Sequence, residues 1–392
     1  MRKIKLLVIF SFLLIFVYQP TSCYATSPSS SELTPGTWQG IIDGSSGEGA
    51  FFYRMEFNAD GTVSILKQYG GHNINEQKTW VQNSDRIEIR SERGSIITDF
   101  DGASLTIQSD SKSISYQNGV YSGVISKHNS ALSLTHWLLI LVVLISLNEL
   151  FRRYKWFAIA FFCVLPIVLL PLWMSYGVSY WFKWVKVYSV VGASAWFILM
   201  RFTGLGKYRF AKMVAALFLA VNIAEAVTQD FSMAYLPNIL NGIAGVLSII
   251  TLFYGWKGIQ SDGNKHNDLV WPKMTIFWII AYDIWNWVFV YLNFPGSSSA
   301  QFMVLLACTI PALFIKKGTW LQARAFTLAA WFMYYFTFAR FTESTELLVP
   351  RNNFLMLTVA IISIAANAIY AGIYFRKLYV ERKRTSVAVS GN

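Results

Sequence analysis

The sequence predicts an α-helical polytopic membrane protein of nine spans, preceded by an exported all-β domain built as a meander or small barrel. Three observations carry that reading. Of 392 residues, 54% are hydrophobic and only 14% charged, whereas a soluble globular chain has about a quarter of its residues charged. The formal net charge is nevertheless +12, an excess expected where Lys and Arg mark loops that stay on the cytoplasmic side. The charge is also unevenly spread: residues 26–131 hold 8 Lys/Arg against 12 Asp/Glu, and residues 132–392 hold 22 against 9. A disordered chain would be poorer in apolar residues, and a nucleic-acid-binding protein would set its basic groove in a polar frame. Both classes are excluded, and no nucleic-acid partner is expected.

Residues 1–25 have the plan of a secretory signal: Arg2, Lys3 and Lys5, an apolar run from Leu6 to Tyr18, then small residues ending at Ala25. A lipoprotein site at Cys23 or an uncleaved anchor are the alternatives, and each leaves the following chain outside the cytoplasm. The other cysteines, Cys163 and Cys308, lie in apolar runs. The exported domain therefore has no disulfide and must be held by an ordinary core.

Residues 26–131 form the exported domain and its linker. Short alternating runs at 37–43, 51–58, 62–68, 78–82, 86–91, 95–100, 104–108 and 113–125 are separated by turn formers such as Asn58-Ala59-Asp60-Gly61. Eight short strands suit an antiparallel meander, closed or nearly closed as a barrel. The opening Gly36-Thr37-Trp38-Gln39-Gly40 resembles the G-x-W start of lipocalin-like domains. That resemblance implies a lipid or small apolar ligand at the barrel mouth; the plainer alternative is a Trp38 that only fills a small core.

Residues 132–380 form the membrane domain. Apolar runs at about 132–150, 156–176, 183–202, 211–229, 236–256, 273–293, 300–316, 320–341 and 353–375 each approach the roughly 20 residues that cross a hydrocarbon core of about 30 Å. With the amino end outside, nine spans leave the basic tail, 381–392, in the cytoplasm. On this count the inner segments hold 17 basic residues and the outer loops only Arg351, as the positive-inside rule requires. Trp181, Trp184, Trp256, Trp271 and Trp320 fall near span ends and are expected at the headgroup level. Trp278, Trp285, Trp287 and Trp331 lie deeper and are expected to pack.

Ionisable side chains inside spans cost about 2.5–3.5 kcal/mol at the centre even on the lenient insertion scale, and so turn toward partners or wet cavities. Lys183 and Lys186 lie on the third run, Asn222 and Glu225 on the fourth, Asn238 and Asn241 on the fifth, Asp283 and Asn286 on the sixth. A spacing of three puts each pair on one helix face. Two lysines and two carboxylates balance, and the runs place the set in the outer half of the bilayer, as a polar pocket among spans three to six. Lys186, Glu225, Asp283, Asn222, Asn241, Asn286 and Lys183 are thus the candidate substrate-binding or proton-coupling residues. The alternative is that these groups only bind helices together. Asp230 is expected to be solvated at the outer boundary, Glu149 to pair with Arg152 and Arg153, Arg324 to reach Glu149, Arg340 to snorkel, and Asn367 to touch a neighbouring helix. His72, His128, His136 and His266 have no metal-ligand spacing, and no nucleophile, P-loop or dinucleotide motif occurs. No catalytic residue, metal or cofactor is therefore assigned.

The stretches 148–153 (NELFRR), 184–189 (WVKVYS), 222–231 (NIAEAVTQDF), 241–245 (NGIAG), 278–286 (WIIAYDIWN) and 308–331 (CTIPALFIKKGTWLQARAFTLAAW) resemble an uncharacterised family of bacterial multi-span membrane proteins. The resemblance covers most of residues 135–375, places the protein in a bacterial cytoplasmic (inner) membrane, and makes the β domain an addition. It supplies no activity. The reading that follows is a protein that binds, or transports, a small polar or anionic solute. An envelope sensor or assembly factor whose β domain binds a lipid or partner is the runner-up, and an enzyme acting on a lipid-linked substrate is third. Membrane lipids are the remaining partner.

Overall fold

The computed structural model describes residues 33–390 apart from 45–49, 70–71, 91–95, 98–103, 109–111, 176–180 and 254; the expected signal segment lies outside these. Strands β1 (Gly36–Gly44), β2 (Ala50–Phe57), β3 (Thr62–Tyr69), β4 (His72–Asn83), β5 (Arg86–Arg90), β6 (Ile96–Ile97), β7 (Ser104–Ile107), β8 (Ser113–Asn118) and β9 (Tyr121–Lys127) are all antiparallel to their neighbours. Pairing of β1 with β9 and of β4 with β5 closes eight of them into a barrel, with β6 added beside β5. The run 113–125, expected as one strand, is a hairpin turned at Gly119, whose φ of +53° suits a residue without a side chain. At the β1–β9 seam a Cβ on Gly40 would lie 2.3 Å from the Val124 carbonyl oxygen, so the closing strands meet at their narrowest there. Inward residues alternate along the strands. Trp38 is wholly buried with Tyr53, Met55, Phe57 and Ile114, so it fills the core, and nothing about the barrel is specific to lipocalins.

Helices occupy each of the nine expected runs: α1 (Ser130–Arg153), α2 (Lys155–Ser175), α3 (Trp181–Phe202), α4 (Arg209–Ser232), α5 (Leu236–Leu252), α6 (Ile276–Asn293), α7 (Ser298–Phe314), α8 (Trp320–Thr337) and, after a short α9 (Ala339–Ser344), α10 (Asn353–Ser390). Among the described residues seven helices are long and apolar enough to cross a membrane, as in a multi-pass membrane protein. The other two are α5, with 17 residues, and α8, which carries Gln322 and Arg324 among its 18. The loop after α5 contains Gly255 at φ +72°, a left-handed conformation that suits glycine. Helix α2 contains a π-turn over Ala160–Val164 just before Pro166, whose ring cannot donate to the ladder.

Packing follows the small residues. A Cβ on Gly245 would stand 2.4 Å from Val227 Cγ2 and 2.7 Å from Trp285 Nε1, so α5 touches α4 and α6 almost backbone to side chain. Helix α8 packs against α1, α2, α3 and α7, while α10 covers α5 and α6. At the end far from the barrel, Arg201 donates to the carbonyls of Phe151, Arg152, His266 and Asn267 at 2.6–3.1 Å. Arg152 bonds Asp268 at 2.9 Å, and Glu149 pairs with Arg152 and Arg153 as expected. Trp271 and Trp320, expected at the headgroup level, are buried in this helical core instead.

The barrel is seated on the near ends of the helices. Gln39 Nε2 donates to the carbonyls of Glu343 (3.1 Å) and Glu346 (2.8 Å), and its Oε1 accepts from Arg54. His128 Nδ1 lies 2.8 Å from the Ser344 carbonyl oxygen, and Phe52 rests on Gly296. Below them His136 bridges two helices and the segment after α9: Nδ1 is 2.8 Å from Thr345 Oγ1 and Nε2 is 2.9 Å from the Tyr334 hydroxyl. The Thr345 hydroxyl gives its proton to the Phe341 carbonyl. Both ring nitrogens of His136 are thus engaged by side-chain hydroxyls.

Candidate functional site

Helix α6 presents Asp283 and Asn286 on one face, toward α7 and α8. Asp283 Oδ2 accepts from Thr309 of α7 at 2.6 Å, and Thr309 Oγ1 in turn accepts from Trp320 Nε1 at 2.9 Å. One turn along, Asn286 Oδ1 accepts from Arg324 Nη2 at 3.1 Å and also from Gln301. Arg324 is only 5% exposed; its Nε and Nη1 find no well-aligned acceptor, although the Tyr282 hydroxyl, itself without an aligned partner, lies beside the guanidinium, and Asp283 Oδ1 also has no partner. The two charged groups are not joined by an ion pair. Beside the group, Trp278, Tyr282, Trp285 and Trp320 pack on one another with ring centroids 4.9–5.8 Å apart. The result is a buried guanidinium and a buried carboxylate, each short of a partner, in an aromatic setting. Such a site can hold a small molecule that offers an anionic group to one and a donor to the other.

Six of the seven sequence candidates divide among three places. Lys186 of α3 and Glu225 of α4 form an ion pair, Nζ to Oε2 at 2.5 Å, with both side chains partly exposed at 21% and 37%. Asn222 lies one turn from Glu225 and is half-buried. The side chain of Lys183 lies outside the described residues. Asp283 and Asn286 belong to the Arg324 group. The expected depth also differs: Thr309 and Trp320 stand near the ends of α7 and α8 far from the barrel, so Asp283 is not level with Lys186 and Glu225. Hydrogen bonds and ion pairs thus join the candidates in separate sets, with Arg324 close enough to Lys186 to act on its charge.

Asn241 belongs to a third group, and here two expectations change. Asp230 is not solvated. It is 0% exposed and accepts from Asn238 Nδ2 (3.0 Å), Asn293 Nδ2 (2.7 Å) and Asn241 Nδ2 (2.7 Å). Asn241 Oδ1 accepts from Ser363 of α10 at 2.7 Å, and its carbonyl accepts from Trp285. Asp230 ends up inside because the α4–α5 turn comes only at residues 233–235, tucking the last turn of α4 between α5 and α6. Arg324 does not reach Glu149, which already has two arginine partners; it points along α8 to Asn286 instead. Asn367 does make its helix contacts, to Ser248 and the Ala281 carbonyl.

Sequence reasoning missed Arg324 and Asn293 as site residues. Arg324 sits five residues into an apolar run and was matched to the wrong carboxylate. Asn293, ten residues after Asp283, could have been found as a further polar residue at the end of that run. Among the described residues no group of three or more His, Cys, Asp and Glu is placed to hold a metal ion.

Comparison with known proteins brings up one family, whose sequence profile matches residues 127–388, about two thirds of the chain. No curated protein and no solved structure matches. The matched region begins at the last residue of β9 and takes in every helix described above, and by that match the chain belongs to the Family of unknown function (DUF5692).

Proposed function

We propose that this protein binds, and carries across the membrane, a small anionic solute held between Arg324 and Asp283. The carrying observation is Arg324, nine-tenths buried with two guanidinium nitrogens lacking a well-aligned acceptor beside a carboxylate with one oxygen unpartnered. A buried charge left short of partners costs several kcal/mol, and a ligand that completes both groups recovers that cost. Asn286 and Gln301 orient the guanidinium, and the aromatic rings pack beside the group. The group lies deeper than the outer-half pocket that the sequence alone points to. Lys186 and Glu225 are partly exposed and already paired, which suits an entry point or a helix clasp better than a binding centre.

Nine crossings, with the barrel outside and the carboxyl end in the cytoplasm of a bacterial inner membrane, are part of the same proposal. Support comes from the basic residues: Arg152, Arg153, Lys155, Lys207, Lys257 and Lys316 all fall at the helix ends away from the barrel. The test is thermal stabilisation of the detergent-purified chain by small anions that also carry a hydrogen-bond donor, such as phosphate, glycolate and lactate, with acetate as the donor-free control, followed by uptake of the responding anion into proteoliposomes. Arg324→Met alone leaves the buried Asp283 carboxylate uncompensated, so it is paired with Asp283→Asn; the double variant should abolish both without lowering folded yield, since replacing buried charges on both sides by neutral groups is often neutral for folding. Equal uptake by the double variant, or loss of folded protein, would contradict the proposal and favour a purely structural arginine.

The sensor reading is favoured by one observation. Through Gln39 the barrel grips the segment that directly follows α8, the helix carrying Arg324. A lipid or partner that shifted the barrel would pull on that helix.

A further inference from the structure

We propose that Asp230, Asn238 and Asn293 form a binding site for a monovalent cation of sodium size, separate from the Arg324 group. Asp230 is fully buried, and its hydrogen-bond partners are all neutral amides: Oδ1 accepts from Asn238 and Asn293, Oδ2 from Asn241. No cationic side chain among the described residues makes an ion pair with it. The Asn238 amide is the second observation. Its Nδ2 stands between two oxygens, 3.0 Å from Asp230 Oδ1 and 3.2 Å from Asn293 Oδ1. Its own Oδ1, on a residue 0% exposed, has no partner. The amide nitrogen thus stands where, once the amide is turned, its own oxygen would join the other two.

Half a turn about the last side-chain bond exchanges the two ends of that amide. The orphaned Oδ1 then converges with Asp230 Oδ1 and Asn293 Oδ1, and three oxygens face one point. The backbone adds to this. Asp230 lies in the last turn of α4 and Asn293 is the last residue of α6, so two helix C-termini, each carrying partial negative charge, end at the cluster. Helix C-terminal ends and side-chain oxygens of this kind suit small monovalent cations. One carboxylate balances one positive charge. A divalent ion would leave a net charge inside the helical layer, and hard divalent ions recruit more carboxylate oxygens than the cluster contains. Trp285 donates to the Asn241 carbonyl at 3.0 Å, which couples an indole to the rearrangement.

The experiment uses the full chain in detergent and lipid, with sodium chloride as the probe and potassium and choline chloride at equal ionic strength as controls. Melting temperature and direct binding of radioactive sodium are both read. The expected result is a saturable response to sodium at concentrations at least tenfold lower than for potassium, absent in Asp230→Asn and at least tenfold weaker in Asn238→Ala. Should Asp230→Asn not fold, sodium binding by the native chain and by Asn238→Ala decides. Equal responses to all three salts, no saturable sodium binding, binding unchanged in either variant, or a response to pH alone would each overturn the proposal. The double variant Arg324→Met with Asp283→Asn should keep the sodium response, so failure of anion binding and failure of sodium binding are read separately.

Discussion

Glu346→Gln removes a titratable group from the junction between barrel and helices, and its effect can be worked from the structure. Glu346 is buried, and its Oε1 accepts from Ser299 N (2.9 Å), Ser299 Oγ (2.8 Å) and Ala300 N (3.3 Å) at the start of α7. Burial pushes its carboxyl up to about 7 from the ordinary 4.5, against the lowering effect of those donors. A raised value in the folded state means that the folded chain prefers the protonated acid. The associated stability is therefore complete below pH 4.5 and is lost as pH rises through 7. At 1.36 kcal/mol per unit the gap amounts to about 3 kcal/mol, or roughly a hundredfold in the equilibrium for opening the junction. The assay is amide hydrogen exchange over residues 338–352 at pH 5 and pH 8.5, corrected for intrinsic chemistry. The native chain should lose roughly a hundredfold of protection across that window. The Gln variant keeps an acceptor for the Ser299 donors but does not titrate, and should stay nearly flat. His128, which burial holds below its ordinary value, is present in both chains and cancels in the difference. An identical pH slope in the two proteins would refute the reasoning.

Three further outcomes follow from the packing. Gln39→Ala strands two buried carbonyls and one arginine donor, so it should weaken barrel docking by about 2–4 kcal/mol and speed proteolytic separation of the two parts; unchanged cleavage would count against the interface. Arg201→Lys cannot reproduce four carbonyl contacts made by one planar fork, and should lower stability by about 3 kcal/mol, read as a lower melting temperature. Gly245→Ala drives a methyl against Val227 and Trp285, costs about 1–3 kcal/mol, and should shift the indole fluorescence of Trp285.

The parts of the fold that a periodic pattern can carry were legible: the alternating strands and the apolar runs. What the pattern could not carry was partner choice. Asp230 and Asn293 are 63 residues apart, and nothing local announces that an Asn from the end of one helix will meet an Asp at the end of another. Arg324 went to Asn286 rather than Glu149 because two nearer arginines already saturate that carboxylate. The loop from 253 to 275 reads as simple positive-inside code, yet Asp268 within it organises Arg152 and Arg201. The Asn118-Gly119 turn was a readable signal, passed over because the residues around it continue to alternate.

The most direct test of the central claim is a high-resolution cryo-EM map of the full chain in a lipid disc, read at the space between Arg324 and Asp283. The proposed function predicts non-protein density there, in contact with Nε or Nη1 of Arg324 and with Oδ1 of Asp283, and gone in the double variant Arg324→Met with Asp283→Asn. Arg324 and Asp283 closed onto each other in a direct ion pair, with no room between them, would contradict it.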